Sequence, residues 1–272
     1  MIRSGTILAL AAILIVAGNV AAQDKTNFEH LQPFMGHWVK DGRMMYWEGQ
    51  WYPFDQRTAC SPAVGGDSRC SIPLDKMRPF FHPRMLAWQQ FAGLTDERLS
   101  GMFECAPTPM PSLLEDGWTV RPLSEGLMRL EYGWTSGGWI RPVYMDGRKP
   151  STEYNRFTYM GEAIGHFEGD DLVIETTNFT FDTDGLDDHL HLPSSMRKKI
   201  TERYKLTAPD KLDLLITQED SLFLKKPLTW GIQFKKDEKQ TTIHELPAEI
   251  TPCDPVTAHL EVELAKDKYR GK

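Results

Sequence analysis

Apolar and polar positions alternate with a period of two through most of the C-terminal two-thirds of the chain. That period is the signature of strands with one face turned inward. It predicts successive strands at 127–132, 139–144, 163–168, 172–178, 199–206, 211–217, 229–235 and 241–246. Asp146-Gly147, Gly169-Asp170 and Pro209-Asp210 supply turn chemistry between several of them. Residues 23–98 read differently, as an irregular part broken by Pro53, Pro62, Gly65-Gly66, Pro73, Pro79 and Pro83. Short aromatic runs at 44–47 and 51–54 and a short helix at 84–91 lie between these breaks. Residues 254–270 form a different kind of element. Asp254 suits an N-cap, Pro255 a first turn, and Val256, Leu260 and Leu264 recur at helical spacing.

About eight short strands joined largely by hairpins predict a mainly β fold, an antiparallel up-and-down barrel of lipocalin-like architecture with a C-terminal helix. A two-sheet β-sandwich is the alternative, because strand patterns do not distinguish closure from stacking. The barrel is expected over 99–252, within one domain running from 23 to 272. No repeat or low-complexity linker divides it.

The first 22 residues stand apart. A basic residue, Arg3, precedes the apolar run 7–17, and Val20-Ala21-Ala22 offers a small-residue cleavage site, as in a signal peptide. The expected location is therefore periplasmic or secreted. The apolar run is shorter than the roughly 20 residues that span a bilayer, so no membrane insertion is expected after cleavage. The chain has 31 basic and 38 acidic residues, a net charge of −7. Without a basic stripe, nucleic acid is not an expected partner. Eight Trp, thirteen Phe and twelve Met residues suit a core, and equally a pocket for a small apolar or aromatic molecule. Cys60, Cys70, Cys105 and Cys253 make an even set in an exported chain, which predicts two disulfides with three connectivities. Cys60–Cys70 as a local clasp and Cys105–Cys253 as a long-range tie are favoured.

Three groups of residues could carry chemistry. If Gly169-Asp170 closes a two-residue turn, Glu168 pairs with Asp171, His166 with Val173, and Ile164 with Glu175. His166 and Glu175 then share a face as diagonal neighbours, where a carboxylate orients an imidazole as a general base. The other outcome is a polar outer stripe opposite a core stripe of Phe167, Leu172 and Ile174. Next, Asp182, Asp184, Asp187 and Asp188 precede His189 and His191. The two histidines fit acid–base work better than a metal site, since no third strong ligand stands nearby. Finally, Tyr144 and Arg148 could donate a proton and bind a phenolate at a barrel rim, or Arg148 could simply pair with Asp146. Trp134, Phe167, Tyr204 and Trp230 are candidate ring contacts for a substrate. No nucleophile elbow, phosphate loop or dinucleotide fingerprint is present, and no cofactor is expected.

The order Cys105-x-Pro107-x-x-Met110-Pro111, Val143-Tyr-Met-Asp-Gly-Arg148, Gly165-His-Phe-Glu-Gly-Asp-Asp-Leu-Val-Ile-Glu-Thr176 and Thr201-Glu-Arg-Tyr204 resembles a large family of exported bacterial proteins, mostly uncharacterised. Their typical motif is Gly-His-Trp-Glu-Gly-Asp-Thr-Leu-Val-Val-Asp-Thr. Here Phe167 replaces the usual Trp, and Pro193-Ser-Ser-Met196 replaces a commoner Pro-His-Ser-Glu. The resemblance covers about residues 103–255; it implies a secreted β-rich fold and supports the Cys105–Cys253 pairing, but supplies no reaction.

The function expected from these features is a periplasmic, cofactor-independent lyase or isomerase. It would act by acid–base catalysis on a small hydroxylated aromatic, such as a lignin-derived dimer losing formaldehyde. A lipocalin-like binding protein and a metal-dependent hydrolase built on His189 and His191 are the alternatives.

Overall fold

The computed structural model describes residues 26–47, 49–53, 74–92, 109–132, 140–153, 156–187 and 192–237. The segment read as a leader, the four cysteines, the strand expected at 241–246 and the helix expected at 254–270 lie outside the described residues, as do Trp134, His189 and His191.

The described residues form twelve strands: β1 (Gly36–Trp47), β2 (Gln50–Pro53), β3 (Trp118–Ser124), β4 (Leu127–Tyr132), β5 (Ile140–Tyr144), β6 (Glu162–Glu168), β7 (Asp171–Thr177), β8 (Asp182–Asp187), β9 (Leu192–Ser194), β10 (Lys199–Ala208), β11 (Lys211–Glu219) and β12 (Leu228–Lys236). Helices α1 (Asn27–Leu31), α2 (Leu74–Met77) and α3 (Pro83–Ala92) accompany them. The main sheet runs β12-β11-β10-β7-β6-β5-β4-β3-β1-β2, and β12 also pairs with β1. That last pairing closes a ring of nine strands, leaving β2 as a flap on β1. The closed, lipocalin-like barrel is the expected architecture; a sandwich would have left two sheets.

One step departs from a pure up-and-down order. β5 and β6 run parallel, with Val143 opposite Ala163 and Tyr144 opposite Ile164. Parity requires it: a ring of nine strands cannot close with every neighbour antiparallel, because an odd number of reversals does not return to the starting direction.

The ring also corrects the reading of residues 23–98 as irregular. β1 is twelve residues long and is the closing strand. Its start pairs with β3, its length with β12 and its end with β2. Trp38, on this strand, is fully buried and stacks on Trp118 with centroids 5.9 Å apart. Trp118 meets Tyr204 edge-on at 5.1 Å and Phe234 at 5.5 Å. This aromatic cluster fills the middle of the barrel. Around it, alternate residues of each strand point inward: Ile200, Glu202 and Tyr204 on β10, and Leu212, Leu214 and Ile216 on β11.

Both mouths are covered. At one, Thr26 caps α1 in a reciprocal capping box with Glu29. The chain continues into a 3₁₀ turn at Gln32–Phe34, and Trp38 Nε1 donates to the Phe34 carbonyl at 2.8 Å. Asn27 Nδ2 ties this cap to the opposite rim by donating to the carbonyls of Glu125 (2.6 Å) and Met145 (3.0 Å). At the other mouth, the β8–β9 hairpin, the 3₁₀ segment Ser112–Asp116 and the α2–α3 region bury Phe80, Phe81, Met85, Leu113, Phe179, Leu186 and Leu224.

Candidate functional site

The β6–β7 hairpin has the expected register: Glu168 pairs with Asp171, His166 with Val173, and Ile164 with Glu175. Gly169 takes φ +64° at the first turn position, a left-handed conformation that glycine adopts freely. Leu172, Ile174 and Thr176 are wholly buried and face the interior, so His166 and Glu175 face outward. Each has another partner. His166 Nε2 lies 3.2 Å from Glu168, and Glu175 accepts from Lys199 Nζ at 2.6 Å. The oriented base expected from His166 and Glu175 is therefore not formed; the pair belongs to the outer polar stripe. Arg203 reaches the same stripe and bridges Glu168 and Asp171. That guanidinium, followed by His166, holds the Glu168 carboxyl below its usual range.

Arg148 does not approach a binding site either. Its guanidinium grips Asp146 through Nε and Nη2, at 2.6 Å for the closest contact, and lies over the exposed side of Tyr144, 3.8 Å from the ring centroid. Asp146 thus holds Arg148 on the surface, where it stacks on Tyr144. Trp230 is 3% exposed in the packed core, on β12.

Tyr204 leads to a group that the strand patterns did not reveal. Its hydroxyl donates to Glu202 at 2.6 Å, and Glu202 receives both Nη groups of Arg141, at 3.0 and 2.6 Å. Arg141 also bonds the Tyr132 hydroxyl at 3.2 Å and Thr176 Oγ1. All five side chains are buried. Burial alone would push the guanidinium down, but the Glu202 carboxylate outweighs it and keeps Arg141 charged. Desolvation pushes the Tyr132 hydroxyl up to about 12, and raises Tyr204 well above its ordinary value. The network therefore holds one ion pair and two neutral phenols, a fixed polar pin through the barrel. It joins strands β5, β7 and β10 through Arg141, Thr176, Glu202 and Tyr204.

Among the described residues, a cleft lies at the capped mouth. It sits between the cap and the rim formed by β6, β7 and β10 and has a volume of about 280 Å³. Phe34, Phe167 and the imidazole of His30 supply its rings, with Pro33 and Leu206 beside them. The His30 and Phe167 centroids are 4.6 Å apart, and Phe34 and Phe167 are 6.2 Å apart. Glu29, Asp170 and Asp171 supply carboxylates. Among the described candidate rings, Phe167 is the one that lines this cleft. His30 and Phe34 fall in the segment read as irregular. Their signal was the Thr26-x-x-Glu29 capping box, followed by Leu31 and Phe34 at helical spacing.

Ring closure, the capped mouth and the rim cleft together define a lipocalin-like β-barrel. No family model matches the chain, and no curated protein matches it. Among solved structures, it is similar to the crystal structure of a mutant of the fluorescent protein UnaG, with a TM-score of 0.32 and 10% identity, covering 76% of this chain and 98% of that one.

Proposed function

We propose that this protein is a binding protein for a small apolar, ring-containing molecule, held in the cleft between the N-terminal cap and the barrel rim. The observation that carries the proposal is the cleft itself: three rings and a leucine line a concave space at the capped mouth of the barrel. Its volume corresponds to roughly nine waters, at the small end of ligand pockets. One substituted aromatic ring matches that space, whereas a two-ring dimer would project beyond the rim. The signal-like leader supports a periplasmic or secreted setting for this role.

The test is a calorimetric titration with the neutral one-ring probe 2-phenylethanol. Saturable binding at one site is expected, and Phe167→Asp should abolish it while leaving the circular dichroism spectrum unchanged. Undiminished binding by that variant would refute the cleft as the site.

An acid–base lyase or isomerase is the second reading, and one observation favours it: a histidine, His30, shares the cleft with carboxylates and aromatic rings. Incubation with hydroxylated aromatics, read by mass spectrometry for product loss on His30→Gln, tests it. Substrate recovered intact from the wild-type protein would remove this reading while leaving the binding proposal in place.

A further inference from the structure

The charges around the cleft specify the ligand more closely. Three of its lining residues are carboxylic, Glu29, Asp170 and Asp171, and no lysine or arginine lines it. Two of the three are engaged elsewhere: Glu29 closes the helix cap, and Asp171 accepts from Arg203 at 3.0 Å on the outer face. Asp170 differs. It sits at the second position of the β6–β7 turn, exposed, with no ion-pair partner among the described residues. The turn geometry is fixed by Gly169, so Asp170 is held at the rim rather than on a long flexible loop.

An unpaired carboxylate above aromatic rings is complementary to one kind of ligand. Ring faces carry negative quadrupole density and attract cations, and an acceptor-rich rim attracts ammonium donors. The same rim repels carboxylates, phenolates and phosphates. We propose that the ligand is a protonated amine borne on a small apolar or aromatic group, with the ring against Phe34 and Phe167 and the ammonium directed to Asp170. This inference rests on the cleft being a binding site, and it adds the sign of the ligand's charge.

Three probes matched in size separate the two claims: 2-phenylethylamine, 2-phenylethanol and phenylacetate, titrated by calorimetry at neutral pH in low salt. The amine should bind most tightly, the alcohol more weakly, and the acid not measurably. Because Asp170 is exposed, its contribution is modest. Asp170→Asn should weaken amine binding by about three- to fivefold and leave alcohol binding unchanged. Raising the ionic strength should reproduce that selective loss. The charge inference is overturned if the alcohol or the acid binds as tightly as the amine, or if Asp170→Asn affects amine and alcohol equally; the binding proposal survives both results. Binding of none of the three would overturn both.

Discussion

Glu202→Gln removes one charge from the centre of the barrel and leaves its shape almost intact. Glu202 and Arg141 are 0% and 1% exposed, and both Nη groups lie within 3.0 Å of the carboxylate. Water therefore cannot compensate the guanidinium once its partner is neutral. Removing one member of a buried pair costs about 3–5 kcal/mol, because the remaining charge stays desolvated. For a domain of this size that corresponds to a fall in Tm of roughly 6–20 °C. The double variant Arg141→Met/Glu202→Gln removes both charges, and the Gln carbonyl can still accept from the Tyr204 hydroxyl. It should recover at least half of the loss, giving a coupling of about 2 kcal/mol or more in a double-mutant cycle. Urea unfolding followed by tryptophan fluorescence measures all four corners, since Trp118 stands against Tyr204. A single-variant cost below about 1 kcal/mol, or strictly additive losses, would refute the view of this pair as a desolvated pin.

Gly165 faces the interior, where a Cβ would collide with Met145 Sδ and stand 3.0 Å from Val143 Cγ1. Gly165→Ala should therefore cost about 1–3 kcal/mol by overpacking the parallel β5–β6 step, measurable by thermal denaturation. Asn27→Ala deletes both bonds that tie the cap to the far rim and should cost about 1–2 kcal/mol. Faster hydrogen exchange at 27–35 should accompany that loss, with the β10–β11 amides unchanged. Lys198 is fully buried, with Nζ donating to the carbonyls of Met110 (3.0 Å) and Gly185 (2.7 Å); burial pulls it from an ordinary 10.5 down to about 8. Between those values the unfolded chain binds the extra proton, so the wild type should gain stability as pH rises from 8 to 10.5, by an amount on the order of 3 kcal/mol. The penalty is present in full below pH 8. Lys198→Met should lack this pH-dependent component, as shown by unfolding curves at pH 7.5 and 10.

The β6–β7 hairpin shows how far strand patterns reach. Alternation and the Gly-Asp turn determine register, because a slip of one residue would turn Leu172 and Ile174 out to solvent. Which face points inward follows from ring closure, and closure depends on β1. β1 escaped notice because it carries Lys40, Asp41, Gly42 and Arg43 within its span and is bounded by turn-rich sequence. The interior network was partly legible: Glu202 and Tyr204 share a face whose neighbours are apolar. A carboxylate on a core face demands a buried partner, and Arg141, alternating with Val143 on β5, was the available cation. The rim cleft was less legible. It needs the cap, β6, β7 and β10 to meet, and strand patterns do not show which turns converge at one mouth.

The central claim is that a small ring-bearing molecule occupies the cleft beneath the N-terminal cap. Amide chemical-shift mapping of the ¹⁵N-labelled protein with 2-phenylethylamine tests it directly. The largest shifts should fall on His30, Phe34, Phe167, Asp170 and Leu206, with the β8–β9 end unmoved. Shifts confined to the β8–β9 end, or absent at saturating probe concentrations, would contradict it.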